Sequence, residues 1–116
     1  MDDAALDPED NKLVVLARAT RARTGAREGA ALRDRDGRTY AAATVDLPSL
    51  QISAIGVCVA MAVASGAQGV EAVVVLGETT EEAAASDLAA VRDLGGAGVT
   101  VHVGAPSGRI SGSSST

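Results

Sequence analysis

Apolar residues along this chain fall into patterns that each predict a different element. The longest run, TVDLPSLQISAIGVCVAMAVASG from Thr44 to Gly66, has one strongly polar side chain, Gln51, between Ser49 and Ser65. Pro48 precedes it, Ser49 can cap it and Gly66 can stop it, so a helix of about sixteen residues, roughly 24 Å long, is predicted. Being apolar nearly all round, that helix should be buried on most sides. Gly56, Ala60 and Ala64 recur at every fourth position and form a stripe that admits a close neighbour. The expected neighbour is the chain's own sheet; the alternative is a second subunit.

The flanking patterns are shorter. Asp7-Pro8-Glu9-Asp10 reads as a helix start, with Leu13, Val14, Leu16 and Ala17 as the apolar face and Gly25 as the stop. Glu28 to Arg35 reads as a strand, Asp36-Gly37 as a hairpin turn and Arg38 to Val45 as the return strand. Val70 to Leu76 is β-branched and mostly apolar, as a strand covered on both faces should be. A helix to Leu94 follows, starting at Thr79 with a capping box to Glu82 or later, near Ser86-Asp87. Val99 to Val103 is a last strand. The order predicts an α/β protein, a three-layer α/β/α sandwich around a mixed sheet of four or five strands. The domain is expected to span residues 1–104. Residues 105–116 read as a disordered Gly/Ser tail, with a short edge strand as the lesser alternative.

Composition narrows the picture. A chain of 116 residues is one domain. It has no Phe or Trp and one Tyr, Tyr40, so its core must be Ala, Val and Leu packed at short distances. A net charge of −5 argues against nucleic acid and anionic membranes as partners. The apolar run is too short to span a bilayer and sits too far along the chain for a signal peptide. The one cysteine, Cys58, excludes an internal disulfide and fits a cytoplasmic location. Seven arginines lie between Arg18 and Arg38 against three acids. Without interleaved aromatics they read as a solvated face, although they could hold a phosphate.

The hairpin segment GAREGAALRDRDGRTYAAATVDLPS resembles the small cytidine deaminases, with their Val-Gly-Ala-Ala-Leu strand, Asp-Gly-Arg turn and Asn-Val-Glu-Asn segment. The last is Thr44-Val45-Asp46-Leu47 here, and the likeness covers most of residues 12–103. The resemblance implies that fold, and assembly as a homodimer or homotetramer. In that family a cysteine at the start of the buried helix binds zinc, and a glutamate two residues on shuttles protons. The zinc makes hydroxide from water. An ungapped match puts Ile55 at the cysteine and Val57 at the glutamate. Cys58 falls one residue beyond. The second cysteine pair matches Asp87 and Ala90. A catalytic zinc needs three protein ligands, and hydrocarbon side chains supply none. The expectation is therefore no zinc and no catalytic residue.

By the same match, Asp46 stands where the family holds the nucleoside sugar, and Thr44 stands at the asparagine beside it. Their alternative reading is a turn-and-cap pair between strand and helix. His102, between Val101 and Val103, reads as an ordinary strand residue, and no triad can be built on it. Three functions follow. The first is a non-catalytic deaminase-like protein acting through oligomerisation or partner contacts. The second is a module binding a nucleoside or nucleotide weakly. The third is a divergent deaminase.

Overall fold

The computed structural model describes residues 6–116. Helix α1 runs Pro8–Thr24, with the Asp7 carboxylate accepting from the Glu9 amide at 2.8 Å and Gly25 closing it at φ 66°. Then come β1 (Glu28–Asp34), β2 (Thr39–Ala43), β3 (Val45–Leu47), β4 (Leu50–Ile52), α2 (Ala54–Ala64), β5 (Val70–Gly77), α3 (Ala85–Gly95), β6 (Thr100–Gly104) and β7 (Ile110–Ser115). Five strands form one sheet in the order β2-β1-β5-β6-β7. Only β5 and β6 are parallel, joined by the α3 crossover; the other pairs are antiparallel.

Alternation along the strands sends side chains to two cores. One face carries Ala31, Ala72, Val74 and Leu76 against Leu13, Val14 and Ala17 of α1. The other carries Ala30, Leu32, Val73, Val75, Val101 and Val103 against Ile55, Cys58 and Ala62 of α2 and Val91 of α3. Helices on both faces make the expected three-layer mixed sandwich. Strand β5 is the shared floor, and each valine buried there contributes about 1.5–3 kcal/mol.

The structure corrects or decides several expectations. The helix predicted from Ser49 begins at Ala54, capped by Ser53 rather than Ser49. Residues 45–52 instead fold into a two-stranded β3–β4 ribbon that turns at Pro48-Ser49. The helix after β5 takes the later of its two predicted starts, at Ala85, with no side-chain cap. The small-residue stripe does not pack on the sheet: α2 buries Ala54, Ile55, Cys58 and Ala62, while Ala60 and Ala64 are exposed. Gly56 is small for a local reason. A Cβ there would lie 2.9 Å from Ile52 Cγ2 and from Ser53 Oγ.

The tail is a strand rather than disordered. Strand β7 pairs with β6 in the register His102↔Ser113, and the Thr116 side chain is buried. The Thr116 hydroxyl accepts from the Val99 amide at 3.0 Å and donates to the Gly96 carbonyl at 2.7 Å. The open edge of β6 offers backbone donors and acceptors that a strand of small polar residues can satisfy. The domain therefore runs past 104, and its expected start at residue 1 lies outside the described residues.

Candidate functional site

The N-termini of α2 and α3 meet beside the carboxyl end of β5. Ser53 ties them together: its hydroxyl accepts from the Gly56 amide at 2.9 Å and donates to Asp87 Oδ1 at 2.6 Å. The Asp87 carboxylate thereby answers the positive end of both helix dipoles. Asp87 and Ile55 line one cavity of about 180 Å³, together with Glu28, Val75 and Thr80. Ile55 is 1% exposed and belongs to the α2 side of the core. Val57, where the resemblance sets the proton-shuttling glutamate, is half-buried against that core. Ala90, one turn after Asp87 on α3, lines a different space, an apolar groove of about 280 Å³ with Val59, Val63 and Leu94.

Cys58 is fully buried, and its sulfur donates to the Tyr40 carbonyl at 3.5 Å. Burial pushes its thiol pKa up to about 12, the opposite of what metal ligation or nucleophilic attack requires. Among the described residues no three His, Cys, Asp or Glu side chains converge closely enough to hold a metal ion. Asp87 is one oxygen ligand already committed to Ser53; of the two other carboxylates lining the cavity, Glu28 is bonded to Thr80 and Glu82 is exposed, and no sulfur or imidazole lines it. The donor set does not fit zinc.

Thr44 and Asp46 do lie together, in a second, polar cleft of about 400 Å³ with Arg27, Gln51 and Ser53. Their states differ. The Thr44 hydroxyl accepts from the Glu28 amide at 3.1 Å and donates to the Glu28 carbonyl at 3.4 Å, so it fastens β1 to the end of β2. That is the turn role, and it leaves the hydroxyl little for a ligand. Asp46 is exposed, opposite Gln51 in the ribbon, and hydrogen-bonds to no described residue. Ser53 lines this cleft while its partner Asp87 lines the smaller cavity, so one hydrogen bond links the two. Arg27 and Gln51 were not predicted as site residues. Arg27 sits in the loop after α1 and Gln51 in a ribbon hidden inside an apolar run, and neither belongs to a recognisable motif.

On the opposite face of the sheet, His102 does meet a carboxylate. Its Nε2 lies 2.9 Å from Asp10 Oδ2, and Asp10 Oδ1 accepts from Arg33 Nη2 at 2.9 Å. Arg33 Nε in turn donates to Glu71 at 2.8 Å. Burial alone would raise the Asp10 pKa, but the hydrogen bonds from His102 and Arg33 outweigh it and hold the carboxyl below its usual range. This network docks the first turn of α1 onto β1, β5 and β6. Asp10 and His102 are 92 residues apart, so no local pattern could pair them.

The cytidine deaminase-like family model matches residues 6–108. Among solved structures, the cytidine deaminase from Burkholderia pseudomallei aligns with a TM-score of 0.77 at 23% identity, over 99% of this chain and 93% of that one. The cytidine deaminase from Mycobacterium leprae gives 0.74 at 19% identity, over 94% of each chain. That from Mycobacterium tuberculosis gives 0.71 at 21%, over 82% of this chain and 85% of that one. No curated protein matches the chain.

Proposed function

Because the chain belongs to the cytidine deaminase-like family, we propose that it is a non-catalytic member, without zinc, that acts through self-association as a dimer or tetramer. The observation that carries this reading is Ile55. A buried hydrocarbon side chain occupies the junction of the two helix N-termini, where the resemblance would set a metal ligand, and Val57 replaces the proton shuttle. Neither can polarise water or move a proton.

Self-association is supported by the outer face of α2. Among the described residues the exposed large apolar side chains are Val15, Leu47, Leu50 and Val63, and three of these belong to α2 and the ribbon leading into it. Ala60 and Ala64 are exposed beside Val63 on the helix. Exposed apolar side chains on α2 and the ribbon before it are the support for a contact surface there. Elemental analysis and light scattering of the purified protein test the proposal together. The expected result is substoichiometric zinc and a dimer or tetramer that Val63→Asp converts to folded monomer. Stoichiometric zinc with cytidine deamination would establish the divergent deaminase instead. A monomer at all concentrations would refute self-association.

A second reading has its own support: a module that binds a nucleoside or nucleotide without deaminating it. It rests on the Asp46 carboxylate, uncommitted in a polar cleft of about 400 Å³, within the range of ligand pockets. A thermal-shift screen should then find a nucleoside or nucleotide that raises the melting temperature, since a ligand above its Kd must stabilise the folded state. No shift at millimolar ligand refutes it.

A further inference from the structure

Strand β7 closes the sheet on one side, and among the described residues no strand pairs with its outer side. The phase of its backbone is fixed at its end. The Thr116 amide donates to the Val99 carbonyl at 3.0 Å, so Thr116 turns its backbone groups inward, towards β6. Inward and outward residues alternate along an antiparallel edge. Ser114 and Gly112, opposite Val101 and Val103, therefore also face inward, while Ser113 and Ser115 hold their N–H and C=O groups outward.

Little in β7 discourages pairing. Edges are kept apart by charge, by proline, by bulges or by a covering element. Ile110–Ser115 contains no charged residue and no proline. Its one bulge, at Ser111, lies near its start. Ser111, Gly112, Ser113 and Ser115 are exposed, and a Cβ added at Gly112 would meet no atom within 4 Å. The opposite edge, β2, is guarded by cations: Arg38 precedes it, and Lys12 shares a groove with Thr39.

A foreign strand would gain specificity from pockets for its side chains. After Ile110, β7 is serine and glycine only and has no side chains to wall a pocket. A second copy of the same edge needs none. Antiparallel pairing about a two-fold axis at Ser113 sets Ser113 against Ser113 of the second copy, exchanging both N–H···O=C bonds, and Ser115 against Ser111. Small neutral side chains then face one another, without repulsion. Arg109, four residues from the axis in each copy, lies about 26 Å from its own equivalent at about 3.3 Å per residue. That exceeds the screening length of about 8–10 Å. So short an edge buries far less than the roughly 1,200 Å² of a stable interface, so it holds only copies that another surface has already joined.

We infer that β7 is a second self-association surface, pairing edge to edge with β7 of another copy and joining two α2-face dimers into a closed tetramer. The inference rests on the self-association reading above and adds a contact to it. Ser113→Pro tests it, because it deletes an outward N–H and leaves the bonds to β6 in place; proline is tolerated at such edge positions. By light scattering the full chain should be a tetramer and Ser113→Pro a folded dimer. Hydrogen exchange gives a second readout that needs no β7 variant. The Ser113 and Ser115 amides should exchange at least tenfold more slowly in the assembled chain than in the Val63→Asp monomer, with the Thr116 amide protected in both. A wild-type dimer that Ser113→Pro dissociates also supports the edge contact and makes it the principal one. An assembly whose mass Ser113→Pro leaves unchanged, or whose Ser113 and Ser115 amides exchange freely, overturns the inference and leaves self-association through α2 standing. A wild-type chain that is monomeric at all concentrations removes both.

Discussion

Replacing Ile55 by alanine tests whether the place of a metal ligand has become part of the hydrophobic core. Ile55 is 1% exposed and packs with Cys58, Val73 and Val75 in the α2-side core. The substitution removes three methyl or methylene groups, about 2.4 kcal/mol of transfer energy at about 0.8 kcal/mol each. A cavity term adds to this when surroundings cannot relax. Here the vacated space opens onto the existing cavity of about 180 Å³, so the added term should be small. The expected loss is about 3 kcal/mol. For 116 residues the unfolding entropy at the midpoint is about 0.24 kcal/mol/K, so the melting temperature should fall by about 12 °C. Urea titration followed by circular dichroism measures the loss directly, with an unchanged m-value if the unfolding stays two-state. Ile55→Val should cost about 1 kcal/mol. Ile55→Cys, which restores a sulfur, should still fail to recruit zinc, because Asp87 is held by Ser53, Glu28 by Thr80, and Glu82 is turned to solvent. A loss under about 0.5 kcal/mol for Ile55→Ala would mean that Ile55 packs against nothing. The claim that hydrocarbon has taken over the site would then be wrong.

Three other sites make separate predictions. Asp34 is fully buried and accepts from the Tyr40 hydroxyl at 2.8 Å and from the Asp36 and Arg38 amides at 2.9 and 3.0 Å. Burial pushes its pKa up, but these donors and the Arg38 charge hold it below the ordinary value, so its contribution is present above about pH 4 and lost as pH falls through the folded pKa. Asp34→Asn should lower stability at neutral pH and flatten that acid limb in urea titrations from pH 7 to 2; an unchanged limb would refute the assignment. Gly29→Ala should cost about 2–3 kcal/mol, because the new Cβ would lie 2.7 Å from Arg21 Cβ and overlap the Ala17 carbonyl, wedging α1 off β1; a neutral result in thermal melts would show that α1 sits farther away. With a thiol pKa of about 12, Cys58 should be about 10⁻⁴ thiolate at pH 8 and resist Ellman's reagent until urea unfolds the chain. Labelling within minutes in buffer would place it at the surface.

The elements that could be read from sequence are those whose signals are local. Asp7 before Pro8 capped α1, Asp36-Gly37 turned the hairpin with Gly37 at φ 86°, and the unbroken valines of β5 marked a strand covered on both sides. The misread elements are those whose residues answer to distant partners. Leu47 and Leu50 look like the first turn of an apolar helix. They are the flanks of a ribbon turn, about half exposed among the described residues. The sequence Ile-Ser-Gly-Ser-Ser-Ser reads as linker by composition, yet it forms β7 because the free edge of β6 supplies its hydrogen bonds.

The site divides the same way. The ungapped match found Ile55 and Asp87, which do line one cavity, and Thr44 and Asp46, which do share another. It could not see that Ser53 joins the two by bonding Asp87, nor that Arg27 brings a cation to the cleft from before β1. Ser53 is therefore the residue on which the two cavities depend. It caps α2, satisfies Asp87 and walls the cleft, so a change there should move the α2 terminus, the cavity under Ile55 and the surface facing Asp46 together. By contrast, the Arg27 side chain lines the cleft and hydrogen-bonds to no described residue. The Ser53–Asp87 bond closes the junction of the two N-termini with a neutral donor and one charge.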